Sequence, residues 1–275
     1  MESVVLKKSK GVELTIVKSN AIINAHYKLT LAESRLLLAC ISQIDSKKPR
    51  DPNEPFLVHV SEIQDLVKEE GSDNLYRDLK TAVSRLYERS IVVKTAEKTT
   101  KTRWVSGQAI YNSGEGKVEV HFTPEVLEYL TELQGSFTQY KLQYVTQFTN
   151  VYSLRIYELL AQWQGRGTRE VGVDELRNKL QLGEQYPKAY DLKRFVIDRA
   201  LADINKHSNL RVSYGQRKSG RNVVAFQFKF EQKDGMQNTR KKLDKAGTKR
   251  AIEKHARVGE SYQEAEVRLK KKGVI

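Results

Sequence analysis
The chain has 275 residues, 39% of them hydrophobic, enough for one large core or two modest ones. Its formal net charge of +14 points to a polyanionic partner, nucleic acid before an anionic membrane, over a surface that is merely basic. The lone Cys40 excludes an internal disulfide, no apolar run approaches the ~20 residues of a membrane span, and the opening MESVVLKKSKG has no signal-peptide core, so a soluble, cytoplasmic protein without a membrane partner is expected.

Residues 1–11 read as a loose basic arm, and regular patterning begins at 12. Leu14, Ile16 and Val17 suggest an extended segment. Thr30 and Glu33 form a capping box, in which hydroxyl and carboxylate satisfy the free amides of a helix start. Leu37, Cys40, Ile41 and Ile44 then follow helical spacing, with Leu36 and Leu38 off that stripe, so this helix carries more apolar surface than one core face needs. Phe56, Val58 and Val60 alternate as a strand, Ser61 caps a helix, and Gly71-Ser72-Asp73 turns into a second one with Leu75, Leu79, Val83 and Leu86 inward. Its other side shows Asn74, Tyr76, Arg77, Lys80, Thr81 and Ser84. A strand starts at Ile91, a polar stretch covers 94–102, and two strands over roughly 103–111 and 117–122 are joined by Ser113-Gly114-Glu115-Gly116. Thr123-Pro124 begins a further helix. A helix-turn-helix followed by a β-ribbon is a winged helix.

The order then returns. Ile156, Leu159, Leu160 and Trp163 mark a helix, 170–173 a strand, Asp174 a cap, Tyr186-Pro187 a turn, and 188–207 a long helix. Strands follow over roughly 210–214 and 223–230, with Val224, Phe226, Phe228 and Phe230 on one face. An offset of 113 takes Val60 to Val173, Glu62 to Glu175, Asp78 to Asp191, Leu79 to Leu192, Lys80 to Lys193 and Val83 to Val196. The constant offset favours an internal duplication over one mixed α+β domain. The fold class expected is α+β, two tandem winged-helix domains, over 12–135 and 136–232. The tail, 233–275, holds 13 Lys or Arg against six Asp or Glu, half of the whole excess, and a capping box at Ser261–Glu264. It either adds DNA affinity or is simply solvated.

From Lys188 to Arg221 there are nine Lys or Arg and three Asp. Leu192, Val196, Ala200 and Ile204 recur every four residues and face the core, which leaves Lys188, Tyr190, Lys193 and Arg194 outward near the helix start. The first turns of a recognition helix enter the major groove, where Lys and Arg donate to guanine or to phosphate. The hairpin tip, with Arg217, Lys218, Arg221 and Asn222 between Gly215 and Gly220, suits phosphates or a minor groove. The first domain is a weaker copy: Asn74, Tyr76, Arg77, Lys80 and Thr81 on its helix, and Lys98, Lys101 and Arg103 near its wing, are expected mostly to position the DNA backbone. The alternative at each site is a solvated charged face.

No enzyme signature, cofactor motif or metal set is found. His26, His59, His121, His207 and His255 form neither H-x-H nor H-E-x-x-H, and Gly116-Lys117 lacks the rest of a phosphate-binding loop. Cys40 among leucines reads as core. The thirteen tyrosines are scattered, so a nicking enzyme is not expected.

The segment Ile16-Val17-Lys18-Ser19-Asn20-Ala21-Ile22-Ile23-Asn24-Ala25, running into Leu29-Thr30-Leu31-Ala32-Glu33-Ser34-Arg35-Leu36-Leu37-Leu38, resembles the opening of the iteron-binding plasmid replication initiators. Tyr190-Asp191-Leu192-Lys193-Arg194-Phe195-Val196, Asp203-Ile204-Asn205, Leu210-Arg211-Val212-Ser213-Tyr214 and Lys218-Ser219-Gly220-Arg221 are similar to the same family. The likeness covers roughly residues 12–231 and not the tail. It implies two winged helices gripping one double-stranded origin repeat, monomers opening the origin, and dimers repressing the initiator's own gene at an inverted operator. It also implies the host initiator DnaA and the replicative helicase as partners, a plasmid-associated place in a bacterium, and an N-terminal dimer contact that would use Leu36, Leu37, Leu38 and Ile41. A winged-helix transcriptional repressor is the alternative.

Overall fold
The computed structural model describes residues 14–67, 73–107, 110–112 and 117–233, with backbone only at 60, 65–67, 73–76 and 110–112. The basic arm, the Gly71-Ser72 turn, the 113–116 turn and the tail beyond 233 lie outside the described residues, as do the side chains of Asn74 and Tyr76.

The chain opens with β1 (Thr15–Ser19), α1 (Asn20–Asn24) and β2 (His26–Tyr27). Helix α2 (Leu31–Ile41) begins at the Thr30–Glu33 capping box, both of whose hydrogen bonds form. Strand β3 (Phe56–His59) leads into α3 (Val60–Val67) and α4 (Asp73–Leu86). Helix α3 starts at Val60, two residues before a Ser61 cap would allow, and the Glu62 carboxylate accepts from the His59 amide at 3.0 Å there. Strands β4 (Ser90–Lys94), β5 (Thr99–Arg103), β6 (Ile110–Asn112) and β7 (Lys117–Val120) follow, then α5 (Pro124–Leu127), with Pro at its first turn, and β8 (Phe137–Lys141).

The second half runs through α6 (Val151–Ala161), β9 (Thr168–Gly172) and α7 (Val173–Lys179), whose N-cap is Gly172 and not Asp174. Next come α8 (Ala189–Leu192), a π-helical turn (Lys193–Ile197) and α9 (Asp198–His207), then the long strands β10 (Leu210–Ser219) and β11 (Asn222–Gln232). Each half places a helix pair against a three-stranded sheet of the same layout, β3-β7-β6 in the first and β9-β11-β10 in the second. The registers correspond: Val58 lies opposite Val118, and Val171, 113 positions on, lies opposite Phe226. This is the tandem winged-helix architecture expected.

Three expectations change. The polar stretch at 94–102 holds a strand: β5 pairs with β4, and β4 with β2, in a sheet of their own. Its Thr-rich sequence favours extended backbone, and pairing rather than apolar alternation holds it. The first wing is therefore β6–β7 alone, and Lys98, Lys101 and Arg103 sit on a different hairpin. The second wing is longer than expected, a ribbon whose turn at Gly220 (φ +60°) puts Arg217 and Lys218 on β10 itself.

The third correction concerns α2. Leu36, Leu37, Leu38 and Ile41 are at most 4% exposed, so they are core residues and not a free dimer face. The helix packs against α3, α4, β3 and β1, and Leu38 shares a small gap with Ile63 of α3 and with Leu142, Val145 and Leu154 of the second half. Its surplus apolar surface is covered within the chain. Cys40 is equally enclosed, and burial pushes its thiol pKa up.

The two halves meet through a buried polar seam as well as an apolar one. The Glu158 carboxylate, fully buried on α6, accepts from Lys18 Nζ at 2.6 Å, Tyr140 Oη at 2.7 Å and Arg155 at 3.3 Å. Arg155 also donates to the Tyr27 hydroxyl and to the Ala25 carbonyl, its guanidinium lying over the Tyr27 ring. Asn24 Oδ1 accepts from Lys179 of α7 at 3.0 Å and from Arg169 of β9 at 3.2 Å. Strand β8 pairs with β1, Ile16 opposite Tyr140, so the segment between the halves returns to the chain's first strand. Among the described residues no helix is long and apolar enough to cross a membrane.

Candidate nucleic-acid interface
The second helix pair presents its candidate residues through a precisely held turn. Arg177 of α7 donates to three carbonyls of the connection, Tyr186 and Gly183 at 2.6 Å and Gln185 at 2.9 Å. Gln181, Gly183 and Tyr186 all have positive φ, a conformation that needs such outside support for the two non-glycine residues. Tyr186 stacks on Phe195, ring centroids 5.9 Å apart, and so fixes where the following helix begins.

That helix explains its own four-residue stripe. In a regular α-helix, positions four apart drift about 40° per step, or about 120° over the three steps from Leu192 to Ile204. The extra residue of the π turn takes back about 100°. Leu192, Val196, Ala200 and Ile204 are accordingly all fully buried. Lys188 and Arg194 are exposed and make no ion pair among the described residues, and Tyr190 is 64% exposed, the most open large apolar side chain described. The guanidinium groups of Arg194 and Arg199 lie 5.3 and 5.4 Å from the centre of the Phe195 ring.

Lys193 is held differently. Its Nζ donates to Asp198 Oδ2 at 2.8 Å, while Tyr214 Oη of β10 donates to Asp198 Oδ1 at 2.5 Å. Burial works against ionisation of Asp198, but hydrogen bonds from Lys193 and Tyr214 outweigh it and hold the carboxyl below its ordinary range. The Asp198 bond in turn raises the Lys193 pKa, and burial followed by the Asp198 contact pushes the Tyr214 phenol up to about 12.

On the wing, Lys218, Arg221 and Asn222 are exposed. Arg217 is exposed too, yet its Nε donates to Glu170 Oε1 of β9 at 2.9 Å, and Gln227 donates to the other Glu170 oxygen at 2.8 Å. This bridge ties together all three strands of the sheet, so Arg217 is partly occupied, whereas Lys218, Arg221 and Asn222 make no such bond among the described residues.

The first helix pair is less charged at its surface. Arg77 and Lys80 are exposed on α4, Arg77 lies 3.8 Å from Asp78, and the Thr81 hydroxyl donates back to the Arg77 carbonyl at 2.9 Å. Lys101 is exposed on β5. Arg103 is tied down: it donates to the Tyr87 carbonyl at 2.6 Å, lies over the Tyr87 ring and pairs with Glu88 at 3.2 Å. Its place is structural, at the foot of a hairpin that is not the wing.

Sequence reasoning gave no site role to Arg177, Arg199, Asp198 or Tyr214, although Tyr214 closes one of the runs that resemble the family. Arg199 was visible as one more cation on the same helix. The other three act through contacts across a turn or between helix and strand, which no local spacing encodes. Among the described residues no three His, Cys, Asp or Glu side chains gather as a metal site would.

With this geometry in hand, comparison with known proteins is specific. Residues 15–161 match the family described as Initiator Replication protein, WH1, and residues 172–230 match Initiator Rep protein, WH2. A replication initiation protein of Escherichia coli is 27% identical over 231 residues, covering 80% of this chain and 71% of that protein. The PI protein of Escherichia coli is 23% identical over 242 residues, 74% of this chain and 78% of that one. In structure, the chain is similar to the Pi initiator protein crystallised in complex with iteron DNA, with a TM-score of 0.69 at 21% identity, covering 81% of this chain and 98% of that one.

Proposed function
The chain belongs to the initiator replication protein family, and from that premise we propose that it initiates plasmid replication by binding repeated double-stranded sites at an origin. The observation that carries this is the second reader: Lys188, Tyr190 and Arg194 stand exposed at the start of a recognition helix, beside a wing bearing Lys218, Arg221 and Asn222. Helix start and wing are the two parts with which a winged helix holds a duplex. In this reading the C-terminal module, 136–232, reads bases. The N-terminal module, 12–135, contributes backbone contacts from Arg77, Lys80 and Thr81, with Lys101 on its separate hairpin. Two readers in one chain occupy successive major grooves, ~10 bp apart, so one protomer covers a direct repeat of ~20 bp.

Monomers bind the repeats and open the origin in the cytoplasm, and the host DnaA and replicative helicase join there. A dimer represses the protein's own gene, through contacts other than the buried leucines of α2. The test is transformation of a circle that lacks its own origin with this gene and its flanking DNA. Sustained replication, lost when Arg194 is replaced by Ala, is the result expected. Repression of a promoter in that DNA without any replication would instead identify a transcriptional repressor.

A further inference from the structure
A carboxylate on the face of a recognition helix repels phosphates, so Asp198 is an electrostatic cost to a basic reader unless it does something else. What it does is visible in its two bonds. It stands where the π turn passes into α9, and its oxygens are divided between Lys193 one turn back and Tyr214 on the first strand of the wing. The Tyr214 ring is itself seated against Phe226 and Phe228 of β11, at centroid distances of 5.9 and 6.1 Å. The chain of contacts therefore runs from the recognition helix, through one carboxylate, into the aromatic base of the wing.

We infer that Asp198 and Tyr214 are positioning residues that lock the wing to the recognition helix at the π turn, and so set the discrimination of the second reader between its own site and other DNA. Lys193, held by the same carboxylate, belongs to this lock more than to base reading. The geometry of helix start and wing is fixed before DNA arrives, so Arg194 on the π turn and Lys218 and Arg221 on the ribbon meet one duplex in a single register. The inference rests on the DNA-binding reading above.

The test uses the full chain and a duplex that the wild-type protein selects from a random pool, with a scrambled duplex as competitor. Asp198→Asn removes the charge and keeps the shape, whereas Tyr214→Phe removes only the hydroxyl and keeps the ring packing. Both variants are expected to lower the ratio of specific to scrambled affinity at least tenfold. Asp198→Asn additionally frees Lys193, so its binding to scrambled DNA strengthens, with the log–log salt slope steeper by ~0.9. A merely electrostatic role would strengthen both duplexes equally and leave the ratio unchanged, and that result, or a Tyr214→Phe ratio within twofold of wild type, overturns the inference. A melting temperature shared with wild type excludes misfolding, and a variant that melts early is replaced by Asp198→Glu, whose longer reach should restore the charge without restoring the ratio. A wild-type protein that selects no sequence at all overturns the DNA-binding reading and this inference with it; a wild type that selects while both variants keep its ratio overturns this inference alone.

Discussion

Replacing Glu158 with Gln tests the seam between the halves. The Glu158 side chain is fully buried and its carboxylate is the counter-charge for Lys18 at 2.6 Å and Arg155 at 3.3 Å. Glutamine keeps the volume and can still accept from Tyr140, but it leaves two buried cations without their anion. Removing one partner of a buried pair costs about 3–5 kcal/mol, because the remaining charge stays desolvated. With a urea dependence near ~2.5 kcal/mol per molar, the unfolding midpoint should fall by ~1–2 M. Burial opposes ionisation of Glu158, but the charges of Lys18 and Arg155 outweigh it and hold its pKa below the ordinary 4.5. A carboxyl with a depressed folded pKa contributes stability that is present above its unfolded pKa and lost as pH falls through the folded one. The wild type should therefore weaken as pH drops below about 4.5, and the Gln variant should lack that component. Urea melts followed by tryptophan fluorescence at pH 7 and across the acid range measure both. A Gln variant within about 1 kcal/mol of wild type at pH 7 would refute the claim that this carboxylate holds the seam.

Arg177→Ala should loosen the turn between α7 and α8, costing about 1–3 kcal/mol and lowering specific DNA binding, which a melt and a gel shift on the same preparation would show together. Leu36→Ala should destabilise by about 2–5 kcal/mol, independently of protein concentration; a melting temperature that rises with concentration in wild type and not in the variant would return this leucine to a subunit interface. Gly167 has a φ of +67° and a Cβ there would lie 3.0 Å from the Phe230 carbonyl, whereas Gly183 at +54° has open space, so both Ala variants should be destabilised and Gly167→Ala the more. Equal melting temperatures for the two would contradict the close approach of Gly167 to β11.

The duplicated layout was legible in the sequence because it rests on local signals: the Thr30–Glu33 box, the Pro after Thr123, the alternation of Val118, Val120 and Phe122, and the 113-residue offset all have counterparts in the fold. The errors share a cause. Leu36 to Ile41 looked surplus because a periodicity argument assumes one covered face, and α2 has the second half against its other side. Thr99–Thr102 gave no strand signal beyond being polar, because a strand held by pairing need not alternate apolar with polar. Arg155, Glu158, Arg169 and Lys179 carried no local signal because their partners lie up to 155 positions away. In the reading surface, the exposed ends of Arg194 and Lys218 were within reach of sequence reasoning, whereas the bond from Tyr214 to Asp198 depends on how a strand returns over a helix.

The pairing of β8 with β1 bears on any attempt to dissect the protein. A gene cut near residue 135 would not liberate two autonomous pieces: the amino-terminal fragment would carry an orphaned edge, open to sticking to its own copies, and the carboxy-terminal one an unanchored leader with Tyr140 stripped of its cover. Chimaeras that exchange readers between relatives should therefore trade everything from β9 onward and leave the strand from 137 to 141 with its original owner.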